Sequence, residues 1–192
     1  MRHALLLLLA ALAAGCTTPS YTRVTRYYLE TGCANVTTAS PGSKSLGIRP
    51  LLAARPYDQK VAYRMPDYTL GGDETIQWAE SPRDTVTRAL ADALSACGRF
   101  KDVGNAADIA LPDWTLTGEV RRFDENRTRN PWTADCEIRL ELRDTQSGEA
   151  LWAETLSASV PMERNENGAL PAAMSKAVSE VVSKAVAAIS AQ

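Results

Sequence analysis

Histidine is nearly absent from this sequence. The 192 residues hold one, His3, and it lies in a stretch that reads as a removable leader. Beyond that leader a Ser-His-Asp triad, a Cys-His pair and the usual histidine-containing zinc sites are excluded. A phosphate-cradling loop and a dinucleotide fingerprint are also missing. The cysteines are too widely spaced for a CxxC redox site. Internal repeats and low-complexity stretches do not occur. Charge of one sign is lacking too: 21 Lys+Arg face 23 Asp+Glu. The signs are mixed along the chain, which gives no footprint for nucleic acid. Past residue 14 no run is apolar enough to span a membrane. No cofactor, no metal and no catalytic set is expected.

What the chain does have begins at its N-terminus. Arg2 supplies a positive start, Leu5 to Ala14 is unbroken Leu and Ala, and Ala13-Ala14-Gly15 leads directly into Cys16. Such a run is about half the ~20 residues needed to cross a hydrocarbon core. A positive end, a short apolar stretch and a small-residue site make a secretory signal. The cysteine placed at once after the small residues turns it into a lipobox, whose thiol takes a diacylglycerol. Cleavage after Gly15, acylation of Cys16 (palmitate-type chains) and anchoring on a membrane facing the periplasm are therefore expected. Thr17, where Asp would retain a lipoprotein at the inner membrane, favours the outer membrane. The chain divides into a signal peptide (1–15), a lipidated tether (16–23) and one domain (24–192).

Three further cysteines are Cys33, Cys97 and Cys136. In an oxidising compartment two of them can form a disulfide, in any of three connectivities. Equally, Cys97 and Cys136 fall on apolar faces and suit the role of small buried hydrophobes.

Hydrophobic periodicity outlines the rest. Val24 to Gly32 and Ser45 to Ala54 read as strands, with Pro50 marking an edge or a bend in the second. Asn35 to Lys44 is a turn-rich loop between them. Asp58 to Leu70 reads as a hairpin around Pro66-Asp67. Ser81-Pro82-Arg83-Asp84 starts a helix, with Ser81 as cap, Pro82 in the first position and Asp84 as the capping-box acid. Val86, Ala89, Leu90, Ala93, Leu94 and Cys97 then form one helical stripe, which Gly98 closes as a left-handed cap. Trp114, Leu116, Gly118 and Val120 alternate with polar residues, as do Cys136, Ile138, Leu140 and Leu142. Ser147-Gly148 turns the chain into Leu151 to Val160, so 114–122, 135–143 and 151–160 should be an antiparallel meander. Leu170 to Ile189 carries a second stripe, Met174, Ala177, Val178, Val181, Ala185 and Ile189, whose small residues should pack closely. These elements predict an α+β fold: a two-layer sandwich with a mostly antiparallel sheet and two amphipathic helices on one face.

An ordered series of short motifs runs through these elements: Tyr27-Tyr28-Leu29, Leu46-Gly47-Ile48-Arg49-Pro50, Pro56-Tyr57-Asp58, Gln77-Trp78-Ala79-Glu80-Ser81-Pro82, Gly98-Arg99-Phe100 and Leu116-Thr117-Gly118-Glu119-Val120. Leu140 to Trp152 follows through Ser147-Gly148. Together they resemble the auxiliary lipoproteins of ABC-type lipid transport systems, the PqiC-like group that partners MCE-domain proteins. The resemblance covers nearly all of the chain after Cys16. It implies a subunit without catalysis that sits at the outer membrane or between membranes. Its implied partners are an MCE-domain protein and an ABC permease and ATPase, in a periplasmic lipid conduit; a homo-oligomer is a further expectation. Members of the group are not known for cysteines at these places, so a disulfide would be particular to this chain. The competing reading is a structural assembly lipoprotein, a plug or chaperone for an outer-membrane protein, similar to the lipopolysaccharide-assembly lipoprotein.

Aromatics concentrate in one stretch, Tyr57, Tyr63, Tyr68 and Trp78. They are the candidate partner-binding residues, since aromatics dominate interface anchors; the competing role is to cover the first helix and the core. Arg121, Arg122, Arg127 and Arg129, with Asp124 and Glu125 among them, surround a hairpin tip; they could touch anionic headgroups or a partner, but the mixed charges favour a solvated loop. Asn35 and Asn126 match a glycosylation sequon, which a bacterial chain has no use for.

Overall fold

The computed structural model describes residues 23–32 and 42–192. The proposed signal, Cys16, most of the tether, Cys33 and Asn35 lie outside the described residues. Among those described, the strands are β1 (Thr25–Tyr27), β2 (Ser45–Ile48), β3 (Leu52–Ala53), β4 (Lys60–Arg64), β5 (Leu70–Trp78), β6 (Asp102–Asn105), β7 (Trp114–Asn126), β8 (Thr133–Asp144) and β9 (Ala150–Pro161). The helices are α1 (Pro82–Ala96), between β5 and β6, and α2 (Leu170–Ser190), after β9. No helix among them is long and apolar enough to cross a membrane.

β7 is the spine of one open sheet. Along one side β8 pairs with it antiparallel over its whole length, from Trp114↔Asp144 to Asn126↔Thr133. Along the other side three short strands follow one another, all parallel to it: β2 beside Trp114–Leu116, β3 beside Glu119–Val120 and β4 beside Asp124–Asn126. β6 flanks β2, β5 flanks β4, β1 flanks β5, and β9 flanks β8. The fold is the α+β sandwich that the sequence predicts, and β7–β8–β9 is its meander, but the sheet is mixed. The parallel pairings arise because β2 to β4 reach β7 through a crossover that contains α1. Hairpin signals, being local, do not report such a connection.

Local boundaries shift for identifiable reasons. The Ser45 to Ala54 segment is split into β2 and β3 at Pro50, which has no N–H for the ladder. Leu51 between them is nonetheless core, 1% exposed. β1 is shorter than the Val24 to Gly32 strand that the sequence suggests, and β6 is a strand it does not.

The helices follow their signals. Ser81 caps α1 and accepts from the Asp84 N–H at 3.4 Å; Pro82 opens the helix. Gly98, at φ 68°, ends it in the left-handed region. Both helices pack on the sheet and on each other. Leu90 and Leu94 of α1, Val181 and Ala185 of α2, and Leu116, Ile138, Leu140 and Leu142 of the sheet are each 0% exposed. Burial of one such leucine contributes about 1.5–3 kcal/mol. Cys97 and Cys136 are both buried, and no bond joins them. Burial pushes the Cys136 thiol up to about 12, the state of a small core hydrophobe.

Candidate functional site

The register of β7 shifts between Val120 and Arg122. Such a bulge puts two residues opposite one and inverts the alternation beyond it. Phe123 therefore turns into the core, opposite Cys136, and the strand runs on through Asp124, Glu125 and Asn126. Asp124 and Glu125 are 0% exposed and Asn126 is 3%. The solvated tip expected here is corrected: the acids belong to the sheet, and only the residues after Asn126 form the turn. Alternation sends Asp124 and Asn126 to one face and Glu125 to the other, which makes two polar clusters at this end of the sheet.

The first cluster centres on two cross-strand aspartates, Asp124 and Asp135. Asp124 accepts from Tyr57 Oη at 2.7 Å and from Arg64 Nε at 2.9 Å. Asp135 accepts from Thr133 Oγ1 at 2.8 Å, Ser159 Oγ at 2.6 Å, Asn126 Nδ2 at 3.0 Å and the other arm of Arg64. Burial pushes Asp135 up, but these donors outweigh it and hold the carboxyl below its ordinary value. In Asp124 burial wins over Tyr57 and Arg64, and the pKa is raised. Burial, with the Asp124 charge added, also raises the Tyr57 hydroxyl. With its partners so committed, the cluster fixes the geometry of this end of the sheet. Asn126, the second sequon position, is part of this network.

The second cluster borders a cleft of about 570 Å³ whose walls include Tyr63, Asp73, Glu74, Arg127, Trp132 and Asn167. Arg127 organises it. Its guanidinium lies 4.1 Å from the Tyr63 ring centroid and 4.6 Å from that of Trp132. It also donates to both oxygens of buried Glu125, each at 3.2 Å, and to Asn167. Tyr63 can lie where it does because its cross-strand partner is Gly71: a Cβ there would come within 2.5 Å of the ring. With the Arg127 charge met by Glu125, the rim holds three further acids: Glu74 pairs with Lys60 at 2.6 Å, Glu166 pairs with Arg164 at 3.1 Å, and Asp73 accepts from Thr75 and Asn167. Among the described residues no group of three His, Cys, Asp or Glu side chains could hold a metal ion.

The four aromatic candidates do not share a surface. Trp78 is 2% exposed and meets Phe123 edge-to-face at 5.4 Å, so its assignment to a partner surface is corrected to core. Tyr57 is half-buried on Asp124, and Tyr63 is half-buried against Arg127. Tyr68 stands fully exposed in the β4–β5 turn.

Comparison with known proteins places this geometry. The protein XCC0632 of Xanthomonas campestris, assigned to the family DUF330, superposes with TM-score 0.77 at 21% identity, over 88% of this chain and 97% of that one. The structure of an uncharacterized protein gives TM-score 0.66 at 12% identity, over 88% and 97%. The hypothetical protein CT253 of Chlamydia trachomatis gives 0.54 at 9%, over 80% and 100%. At these identities the likeness is one of fold. A search of curated protein sequences gives no match. A family model, described as the ABC-type transport auxiliary lipoprotein component, matches residues 27–186, and the chain therefore belongs to that family.

Proposed function

We propose that this protein is the outer-membrane-anchored, non-catalytic accessory subunit of an MCE-type intermembrane lipid transport system, held on the periplasmic face by lipid on Cys16. Family membership makes it a lipoprotein component of an ABC-type transporter; the lipobox supplies the anchor and the lack of histidine after His3 supports a role without chemistry. The observation that carries the reading is the family match, which spans residues 27–186 and so takes in the folded domain while leaving the leader outside it. A subunit of this kind acts through its surface. We assign the partner surface to the cleft beside Arg127, since aromatic walls and convergent polar groups mark recognition sites.

Two experiments test this. Cys16→Ala should leave an uncleaved, unacylated precursor by intact-mass analysis; cleavage at another site in the wild type would remove the lipobox. The lipidated protein should capture an MCE-domain protein, with its permease and ATPase, from solubilised membranes. Charge reversal at the exposed rim, Glu74→Lys with Glu166→Lys, should weaken capture by at least about tenfold, or 1.4 kcal/mol, with an unchanged melting temperature. Capture of no MCE protein by the wild type would overturn the transport partnership; undiminished capture by the folded double variant would remove the cleft.

A further inference from the structure

The domain has a side that its own strands turn toward the anchor. β1 runs parallel to β5, with Thr25 beside Ile76 and Tyr27 beside Trp78. The chain therefore enters the sheet from the end where β5 begins, the β4–β5 turn. Only six residues lie between Cys16 and Arg23, and whatever path they take the seven steps span at most about 25 Å. From Ile76 back to Leu70 along β5 is about 20 Å. A lipid on Cys16 can thus reach the level of that turn and little beyond it.

What the turn presents fits a bilayer surface. Tyr68 is 100% exposed and Leu70 44%. Tyr68 holds φ 66°, a region costly for a bulky residue and one that buries nothing here. The turn is nevertheless well defined: Met65 N–H donates to Thr69 at 3.0 Å, Tyr68 N–H donates to Met65 at 3.2 Å, and Thr69 donates twice to Asp67. The β7–β8 turn leaves the sheet at the same end, since Arg64 pairs with Asn126 and the Arg127 N–H donates to Arg64. It exposes Thr128, Arg129 and Asn130. An amphipathic aromatic ring, an aliphatic side chain and an arginine at one level make the pattern of a membrane interface, where tyrosine rings sit among headgroups.

We propose that the β4–β5 turn, with Tyr68 and Leu70 at its head and Arg129 of the neighbouring turn beside it, is the face this domain lays on a phospholipid surface; the proposal rests on lipidation at Cys16. The turn then orients the domain as well as tethering it, and keeps the far end of the sheet, where β2 and β6 lie, turned into the periplasm.

The test uses the lipidated protein bound to preformed phosphatidylethanolamine–phosphatidylglycerol vesicles. Its tyrosines are iodinated by lactoperoxidase, which does not enter the bilayer, and mapped by peptide mass spectrometry. Labelling in urea gives the reference for each site. Tyr28 is the internal standard, at 72% exposed against 100% for Tyr68. Exposure in the free domain predicts that Tyr68 labels at least as well as Tyr28; contact with lipid predicts that it labels severalfold less. In a Tyr68→Trp variant, brominated acyl chains should quench fluorescence that the wild type does not lose. If the N-terminal peptide carries lipid but Tyr68 labels like Tyr28, or quenching is equal in the two proteins, the orientation is overturned and the anchor stands. If the peptide carries no lipid, the anchor falls and the proposal with it.

Discussion

The two halves of the β7–β8 ladder are built on opposite principles. Between Trp114 and Val120, facing Ile138 to Asp144, the helix side is dry: Leu116, Val120, Ile138, Leu140 and Leu142 are each 0% exposed. Past the bulge the same two strands bury Asp124, Glu125, Asn126, Thr133 and Asp135. The dry half gains from area and from contact, terms that grow with each methylene and have no single point of failure. The polar half gains little net from any one bond, yet each of its groups depends on a partner, so removal of one strands the others. One half supplies stability. The other supplies geometry, and it is the half from which the cleft and the β4–β5 and β7–β8 turns project.

That contrast predicts where the molecule breaks. Arg64 bridges Asp124 and Asp135 with a side chain only 29% exposed. Arg64→Ala leaves two buried carboxylates facing each other without a counter-charge, a change that costs about 3–5 kcal/mol when one member of a buried ion pair is removed, with the lower end expected at a partly exposed arginine. Urea unfolding measures it; a loss under about 1 kcal/mol would show that water reaches the acids, and the polar half would then be no different from surface. In the dry half Leu140→Ala should cost about 2–5 kcal/mol through lost burial and a cavity. Here a smaller, relaxed loss is compatible with repacking, whereas Arg64 has no apolar substitute of that kind.

Acid titration separates the two aspartates. Asp135 is held low in the folded state, so folding favours its ionised form. Its contribution is complete above the unfolded value of about 3.9 and is lost as pH falls through the lower folded value. Asp124 is held high by burial. Its contribution has the opposite sign, most favourable below about 3.9 and declining as pH rises through the raised folded value. On acidification from neutrality Asp124 should take up its proton first, with a slight gain, and the loss from Asp135 should follow below about pH 4. Asp73, Asp113 and Asp144 are also held low by hydrogen bonds, so the difference between wild type and variant carries the test. Asp135→Asn should blunt the fall at low pH, and Asp124→Asn should remove the earlier gain. Parallel curves for wild type and Asp135→Asn would take Asp135 out of the account.

The same contrast explains what the sequence discloses. Periodicity is a property of dry faces, so α1, α2 and the β7–β8–β9 meander are legible down to the Ser81 cap and the Gly98 stop. Two of the family motifs, Leu116 to Val120 and Leu140 to Trp152, lie on the meander; the others sit on the short strands and the loops around them. The polar end is illegible because its burial rests on partners distant in the chain. Asp124 is covered by Tyr57 and Arg64, and its strand changes phase at a bulge that no turn residue marks. Arg-Arg-Phe-Asp-Glu-Asn-Arg reads as surface on composition alone. Only the alternation of Thr133, Asp135 and Glu137 with Ala134 and Cys136 hints that a strand continues there. Trp78 shows the converse: an aromatic next to a helix start is equally consistent with an interface and with a core, and its edge contact with Phe123 is a fact of the fold.

The smallest effect predicted is at Tyr68, and it discriminates between fold and function at the exposed turn. A tyrosine at φ 66° with 100% exposure bears the cost of the left-handed region without burial to offset it. Tyr68→Gly relieves that cost, while glycine adds entropy to the unfolded chain. The two nearly cancel, so the thermal midpoint should stay within the shift produced by about 1 kcal/mol and on the stabilised side of it if backbone strain dominates. If the tyrosine serves the fold, its removal lowers the midpoint by more than that, and the turn is then simply part of the packed domain. If stability is kept or raised while the bound domain loses its fixed orientation on vesicles, the side chain is there for what it touches outside the molecule. The turn would then be held by its own backbone bonds and by the Asp67–Thr69 pair, and the Tyr68 ring would contribute nothing to holding it.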